Sequence, residues 1–142
     1  MDVRELSEDD IAAATSLWSE VGLSRAWNDP VTDFLDAVAG PASTVLGATI
    51  DDVLVGTAMV GFDGHRGWLY YVAVSPSVQR RGVGSALTRA GEAWLVQHGA
   101  RKVQLMVRAD NEDARRFYDE LGYEASTVTV LQKWMIPGTS GT

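Results

Sequence analysis

Gln79-Arg80-Arg81-Gly82-Val83-Gly84 is the stretch of this chain whose residue types and spacing point most directly to chemistry. It separates an apolar, strand-like run, residues 68–74, from a helix-like run, residues 83–98. A strand that turns through glycines into a helix start makes an anion site. Backbone N–H groups of the first helical turn have no intrahelical partner, and the helix dipole adds partial positive charge at the same place. Glycines at 82 and 84 let the backbone approach a phosphate oxygen without a Cβ in the way, while Arg80 and Arg81 add charge at the rim. Packing and solvation are the other use of such residues. The pattern lacks the third glycine of a dinucleotide fingerprint and the Gly-Lys-Ser/Thr ending of a P-loop.

A second constellation follows at Asn111-Glu112-Asp113-Ala114-Arg115-Arg116-Phe117-Tyr118, closed by Leu121-Gly122-Tyr123. With Val72-Ala73-Val74-Ser75-Pro76 before the first motif and Gly84-Ser85-Ala86-Leu87 after its glycines, the pair resembles the GNAT superfamily of acyl-CoA-dependent N-acyltransferases. That family's pyrophosphate loop reads Gln/Arg-x-x-Gly-x-Gly/Ala, matched by Gln79, Gly82 and Gly84, and its later helix reads Asn-x-x-Ala-x-x-Phe-Tyr. The likeness runs from about Gly56 to about Tyr123.

The resemblance implies acetyl-CoA as co-substrate, held by Val72, Ala73 and Val74 along a strand and by Gln79, Arg80, Arg81, Gly82, Val83, Gly84 and Ser85 at the loop. It implies a backbone oxyanion donor near Val72 or Ala73, a contact from Asn111 to pantetheine or to the acceptor side, and Tyr118 as the acid that protonates the leaving thiolate. Each has a plainer alternative: strand pairing for residues 72–74, a helix cap for Asn111, and a core tyrosine beside Ala114 and Leu121 for Tyr118.

The general base departs from the family. Members that acetylate ribosomal-protein N-termini carry Leu-Glu-Val-Arg on the fifth strand, where this chain has Leu105-Met106-Val107-Arg108, and methionine is no base. Tyr70 and Tyr71 stand where other members place a glutamate, which leaves a water-mediated path toward Asp29, Asp63, Asp110 or His65. Trp27-Asn28-Asp29-Pro30 looks like a segment of a bacterial branch whose acceptor is generally unassigned. Trp27, Asn28 and Asp29 would wall an amine there, or form an Asx-turn before a helix-starting proline. The expected activity is acetylation of a primary amine, a small cationic metabolite, in a ternary complex. Peptide N-terminal acetylation and a silent acyl-CoA sensor are the competing readings.

The elements needed to position these residues are legible in the pattern. A short strand at residues 3–5 precedes a helix capped by Ser7, with Ile11, Ala14, Leu17, Trp18 and Val21 at helical spacing up to Gly22. A second helix is expected over residues 32–39. Residues 43–50 and 53–62 form a hairpin about Asp51-Asp52, and Asp63-Gly64 turns into the strand at 68–74. A helix at 83–98 ending at Gly99, a strand at 103–107, a helix capped by Asp110 or Asn111 and ended by Gly122, and a last strand or pair at 127–136 complete the order. The pattern predicts a mixed α/β sheet, an antiparallel meander followed by parallel strands that the resemblance says splay apart, with flanking helices.

The chain's 142 residues suit one domain, read as 1–136 with a tail at 137–142. No cysteine and two separated histidines argue against disulfides, a thiol nucleophile and a metal site. Without a signal-like start or a long apolar run, a cytoplasmic protein with no membrane partner is expected. Residues 1 to 64 hold 12 acidic and 2 basic side chains, whereas residues 65 to 142 hold 7 and 10. The basic half carries the phosphate loop, and the acidic half suits a cationic acceptor or a solvated surface. A net charge of −7 disfavours nucleic acid, and a homodimer is compatible with the reading.

Overall fold

A computed structural model describes residues 1–24 and 29–136, and these fall into two compact units that divide between Leu105 and Met106. In the first, strands β1 (Asp2–Glu5), β2 (Ser43–Ile50), β3 (Val53–Phe62), β4 (Gly67–Val74) and β5 (Val103–Leu105) form one sheet in the order β1-β2-β3-β4-β5. The first four are antiparallel. β4 and β5 are parallel, pairing only Gly67 with Val103, Trp68 with Gln104 and Leu69 with Leu105. Asp51 and Asp52 both take positive φ, 51° and 63°, the handedness that matches a two-residue hairpin turn to strand twist.

Helices α1 (Ile11–Glu20) and α2 (Pro30–Ala39) cover one face of the sheet, and α3 (Val83–Gln97) packs on β3 and β4 from the other. Ser7 and Asp10 form a capping box at the 3-10 turn that leads into α1. Trp18 and Phe34 are fully buried in the first core, with Leu17, Val45, Met59 and Ala73. On the α3 side, a Cβ at Gly91 would lie 2.9 Å from a Leu69 methyl, and one at Gly56 would lie 2.7 Å from a Leu87 methyl. The missing side chains set the helix-to-sheet spacing.

The second unit contains α4 (Glu112–Glu120), capped by Asn111 and ended at Gly122, whose φ is 92°. The expected strand or pair at 127–136 does not form among the described residues. The side chains of Val128, Val130, Leu131, Met135 and Ile136 are exposed there, and alternation without a buried face does not make a strand. The strand expected at 103–107 ends at Leu105.

Candidate active site

After β4, a 3-10 turn (Pro76–Val78) leads into a loop in which Arg80 has φ 66° and Gly82, the N-cap of α3, has φ 80°. Among the described residues no side chain caps α3, and its first intrahelical bond at this end runs from the Ala86 N–H to the Gly82 carbonyl. The N–H groups of Val83, Gly84 and Ser85 precede that bond and have no intrahelical acceptor. Gln79, Arg80, Arg81 and Gly82 are exposed, and a Cβ at Gly82 would meet nothing within 4 Å. The loop is an open, cationic cradle of donors at the end of the longest helix described, and phosphate oxygens fit it in charge and in hydrogen bonding.

Upstream of that cradle, β4 carries a bulge. Its register to β3 pairs Tyr70 with Met59 and Ala73 with Thr57, leaving Tyr71 and Val72 opposite Ala58. Tyr71 adopts φ 48°, a left-handed conformation costly for a residue with a Cβ. Three contacts hold it. Its ring stacks on Trp18 at 3.9 Å, its carbonyl accepts from Thr57 Oγ1 at 2.8 Å, and its hydroxyl donates to Asp33 Oδ2 at 2.7 Å. Thr57 Oγ1 in turn accepts from Trp18 Nε1 at 2.8 Å. Residues from α1, α2 and β3 therefore fix the bulge in the strand that carries Val72, Ala73 and Val74.

The same network gathers acid at this face. Burial raises the Tyr71 phenol well above its ordinary range, and the hydrogen bond to Asp33 and the charges of Asp33 and Asp29 add to the shift. Asp29 caps α2, accepting from Thr32 Oγ1 at 2.7 Å and Thr32 N at 3.1 Å. Those two bonds, the hydroxyl first, hold its carboxyl below the usual range. Sequence reasoning missed Asp33. The available signal was its spacing of four from Asp29, which places both on one side of a helix. Trp27 and Asn28 lie outside the described residues.

In the second unit, Asn111 Oδ1 accepts from Ala114 N at 3.0 Å, so the asparagine is a helix cap. Tyr118 packs edge-on against Phe117 at 4.9 Å and Tyr123 at 5.6 Å. Burial pushes its phenol up to about 12, so it stays protonated at neutral pH and can donate.

A model of the acetyltransferase (GNAT) family matches residues 5–123. The chain belongs to this family. An acetyltransferase of Pectobacterium atrosepticum is 37% identical to this GNAT chain over 136 residues, covering 96% of each. Among solved structures, aminoglycoside N-acetyltransferase AAC(6')-Iy in complex with CoA shares the fold with a TM-score of 0.81 at 18% identity, over 95% of each chain. An aminoglycoside 6'-N-acetyltransferase from Acinetobacter haemolyticus does so at 0.77 and 18%, over 96% of this chain and 99% of that one. The expected mixed sheet and the expectation of an acetyltransferase are borne out.

Among the described residues of this GNAT chain, no group of three or more His, Cys, Asp or Glu is placed to hold a metal ion, and no helix is long and apolar enough to cross a membrane.

Proposed function

We propose that the protein transfers an acetyl group from acetyl-CoA to a primary amine on a small cationic metabolite, by direct attack in a ternary complex. The uncapped N-terminus of α3, preceded by the left-handed Arg80 and Gly82, is the observation that carries this reading, because it supplies unpaired donors and positive charge for a diphosphate. Gln79, Arg80, Arg81, Gly82, Val83, Gly84 and Ser85 would hold that group. Val72, Ala73 and Val74 would align the pantetheine arm like an added strand, and the side-chain NH2 of Asn111 would contact it.

In the reaction, the neutral amine attacks the thioester carbonyl, a C–N bond forms, and the C–S bond breaks. A backbone N–H at the Val72–Ala73 end of the bulge faces the developing oxyanion, and Tyr118 gives its proton to the departing thiolate. The amine proton leaves to water, and water returns a proton to Tyr118. Asp29, with Trp27 and Asn28, draws the ammonium form to the acidic face, and Asp33 beside Tyr71 adds charge at the same place. The aminoglycoside acetyltransferases that share the fold take small amines, which agrees with this acceptor class. Residues 1–136 serve the reaction as one domain.

CoA release measured over panels of amines and peptides tests the proposal. Amine-dependent release supports it. Release with peptides alone would make the protein an N-terminal acetyltransferase, against the methionine at 106, and acetyl-CoA binding without acceptor-dependent release would make it a sensor.

A further inference from the structure

The sheet face that holds Tyr71 continues along β4 into a cavity of about 330 Å³. Residues 41–43, just beyond α2, bound it on one side, with Phe62, Asp63, Trp68 and Tyr70 on the other. Register places these groups on one face: Tyr70 lies opposite Met59 of the α1/α2 core, and Trp68 lies opposite Gly61, which in turn lies opposite Ser43. Gly61 is what keeps the space open, since a Cβ there would meet nothing closer than the Ser43 Cβ at 3.9 Å. The Trp68 and Tyr70 rings lie nearly parallel with centroids 6.2 Å apart, and Tyr70 is partly exposed.

Among the described residues, Asp63 is the only charged one in the lining. Its Oδ1 accepts from the N–H groups of Arg66 and His65 at 2.6 and 2.8 Å, and its Oδ2 from Trp68 Nε1 at 3.3 Å. The backbone bonds, Arg66 first, keep the carboxyl ionised below the usual range, and the phenol of Tyr70 is raised by burial and by the Asp63 charge. Arg66 directs Nη1 to the His65 carbonyl, and no ion pair to Asp63 forms among the described residues. A carboxylate at the edge of the Trp68 indole and near the Tyr70 ring, with no ion pair among the described residues, is complementary to an ammonium seated over those rings.

We propose that this cavity is a distal subsite for a second ammonium group of the acceptor, so that the substrate is an elongated diamine. The proposal rests on the amine-acetylating reading above. The reacting amine lies toward Tyr71, Asp33 and Asp29, and the other end lies over Trp68 and Tyr70 beside Asp63. Trp68 and Tyr71 lie three residue steps apart along β4, so the amines are spaced by about 10 Å.

Calorimetry with an alkyl diamine spanning about that length, against the alkyl monoamine of matched length, tests the subsite without turnover. Wild-type protein should bind the diamine about tenfold more tightly, the factor expected for a solvent-accessible cation–aromatic contact together with an exposed carboxylate. Asp63→Asn keeps the Oδ1 acceptor that holds the turn but removes the charge, and Gly61→Val fills the cavity where the structure has room. Either should bring the diamine advantage to about twofold or less, with unchanged circular dichroism. Equal affinity for the two amines in wild-type protein, or an advantage that survives both substitutions, would overturn the subsite. Amine-dependent CoA release with no diamine advantage would sink the subsite and leave the acetyl-transfer reading standing. Diamine binding sensitive to both variants, without any CoA release, would do the reverse.

Discussion

Trp18 and Tyr71 come from α1 and β4, 53 positions apart in sequence, and their rings stack with centroids 3.9 Å apart and planes 20° from parallel. The hydroxyl of Thr57 joins them a second time, accepting from the Trp18 indole and donating to the Tyr71 carbonyl. The pair thus holds a tyrosine in a left-handed conformation at the point where β4 leaves its regular register with β3.

Thr57→Val should expose how much this clamp matters, because valine keeps the shape and leaves a buried indole N–H and a carbonyl without their partner. A loss of roughly 1 to 3 kcal/mol in unfolding free energy is expected, with a smaller loss for Thr57→Ser. Denaturant midpoints measure it. If the bulge positions the oxyanion donor, kcat should also fall further in Thr57→Val than acetyl-CoA affinity does. A variant as stable and as fast as wild type would mean that the hydroxyl is dispensable to the bulge.

Gly84→Glu places a carboxylate among the unpaired N–H groups of α3. Acid at a helix start is favourable to the helix, so thermal stability should hold while acetyl-CoA affinity falls by roughly tenfold or more through repulsion of the diphosphate. Titration calorimetry separates the two effects. Unchanged affinity in the folded variant would remove the loop from the cofactor site.

Tyr118→Phe should lower kcat by roughly ten- to a thousandfold with little change in acetyl-CoA affinity, the range for losing a general acid. The phenol of the folded protein titrates near 12, above its unfolded value, so the stability tied to the neutral form is complete below the unfolded pKa and is lost as pH rises through 12. For activity, kcat/KM should climb with pH as the acceptor amine loses its proton, and the Tyr118 proton should still be present when the climb ends. A descending limb near neutral pH that vanishes in Tyr118→Phe would contradict this assignment.

Asp29→Asn retains an oxygen for the α2 cap and removes the charge. The acceptor KM should rise by roughly two- to fivefold, the scale of an exposed ion pair, and the acetyl-CoA KM should not follow. Added salt should raise the acceptor KM of wild type and do less to that of the variant. Acceptor kinetics indifferent to the substitution would leave Asp29 as a cap alone.

Gly91→Ala tests the spacing of α3. A Cβ 2.9 Å from a Leu69 methyl and 3.1 Å from a Val60 methyl requires those side chains or the helix to shift, at an expected cost of roughly 1 to 3 kcal/mol, even though alanine is the better helix former. Thermal unfolding reads the sign directly, and a stabilised variant would show that the two side chains give way.

Sequence alone determined the features that depend on local chemistry. Gly82 starts α3 and Gly99 and Gly122 follow their helices at positive φ, Ser7 caps, a cap at Asp110 or Asn111 opens α4, and Asp51-Asp52 turns β2 into β3, because each needs only a neighbouring donor, acceptor or left-handed residue; the structure puts the α4 cap on Asn111. The same local reading placed β2, β3, β4 and α3 to within a residue or so, since their apolar periodicity is long and unbroken. It overreached at 127–136, where alternation did not by itself make a strand among the described residues. Only tertiary structure decided that Tyr71 takes a left-handed φ, that Asp33 receives its hydroxyl from 38 residues away, and that Gly61 leaves a cavity over Trp68. A bulge is a mismatch of register between two strands, and register is fixed by what packs on both faces of the sheet, so no single segment of the chain encodes it.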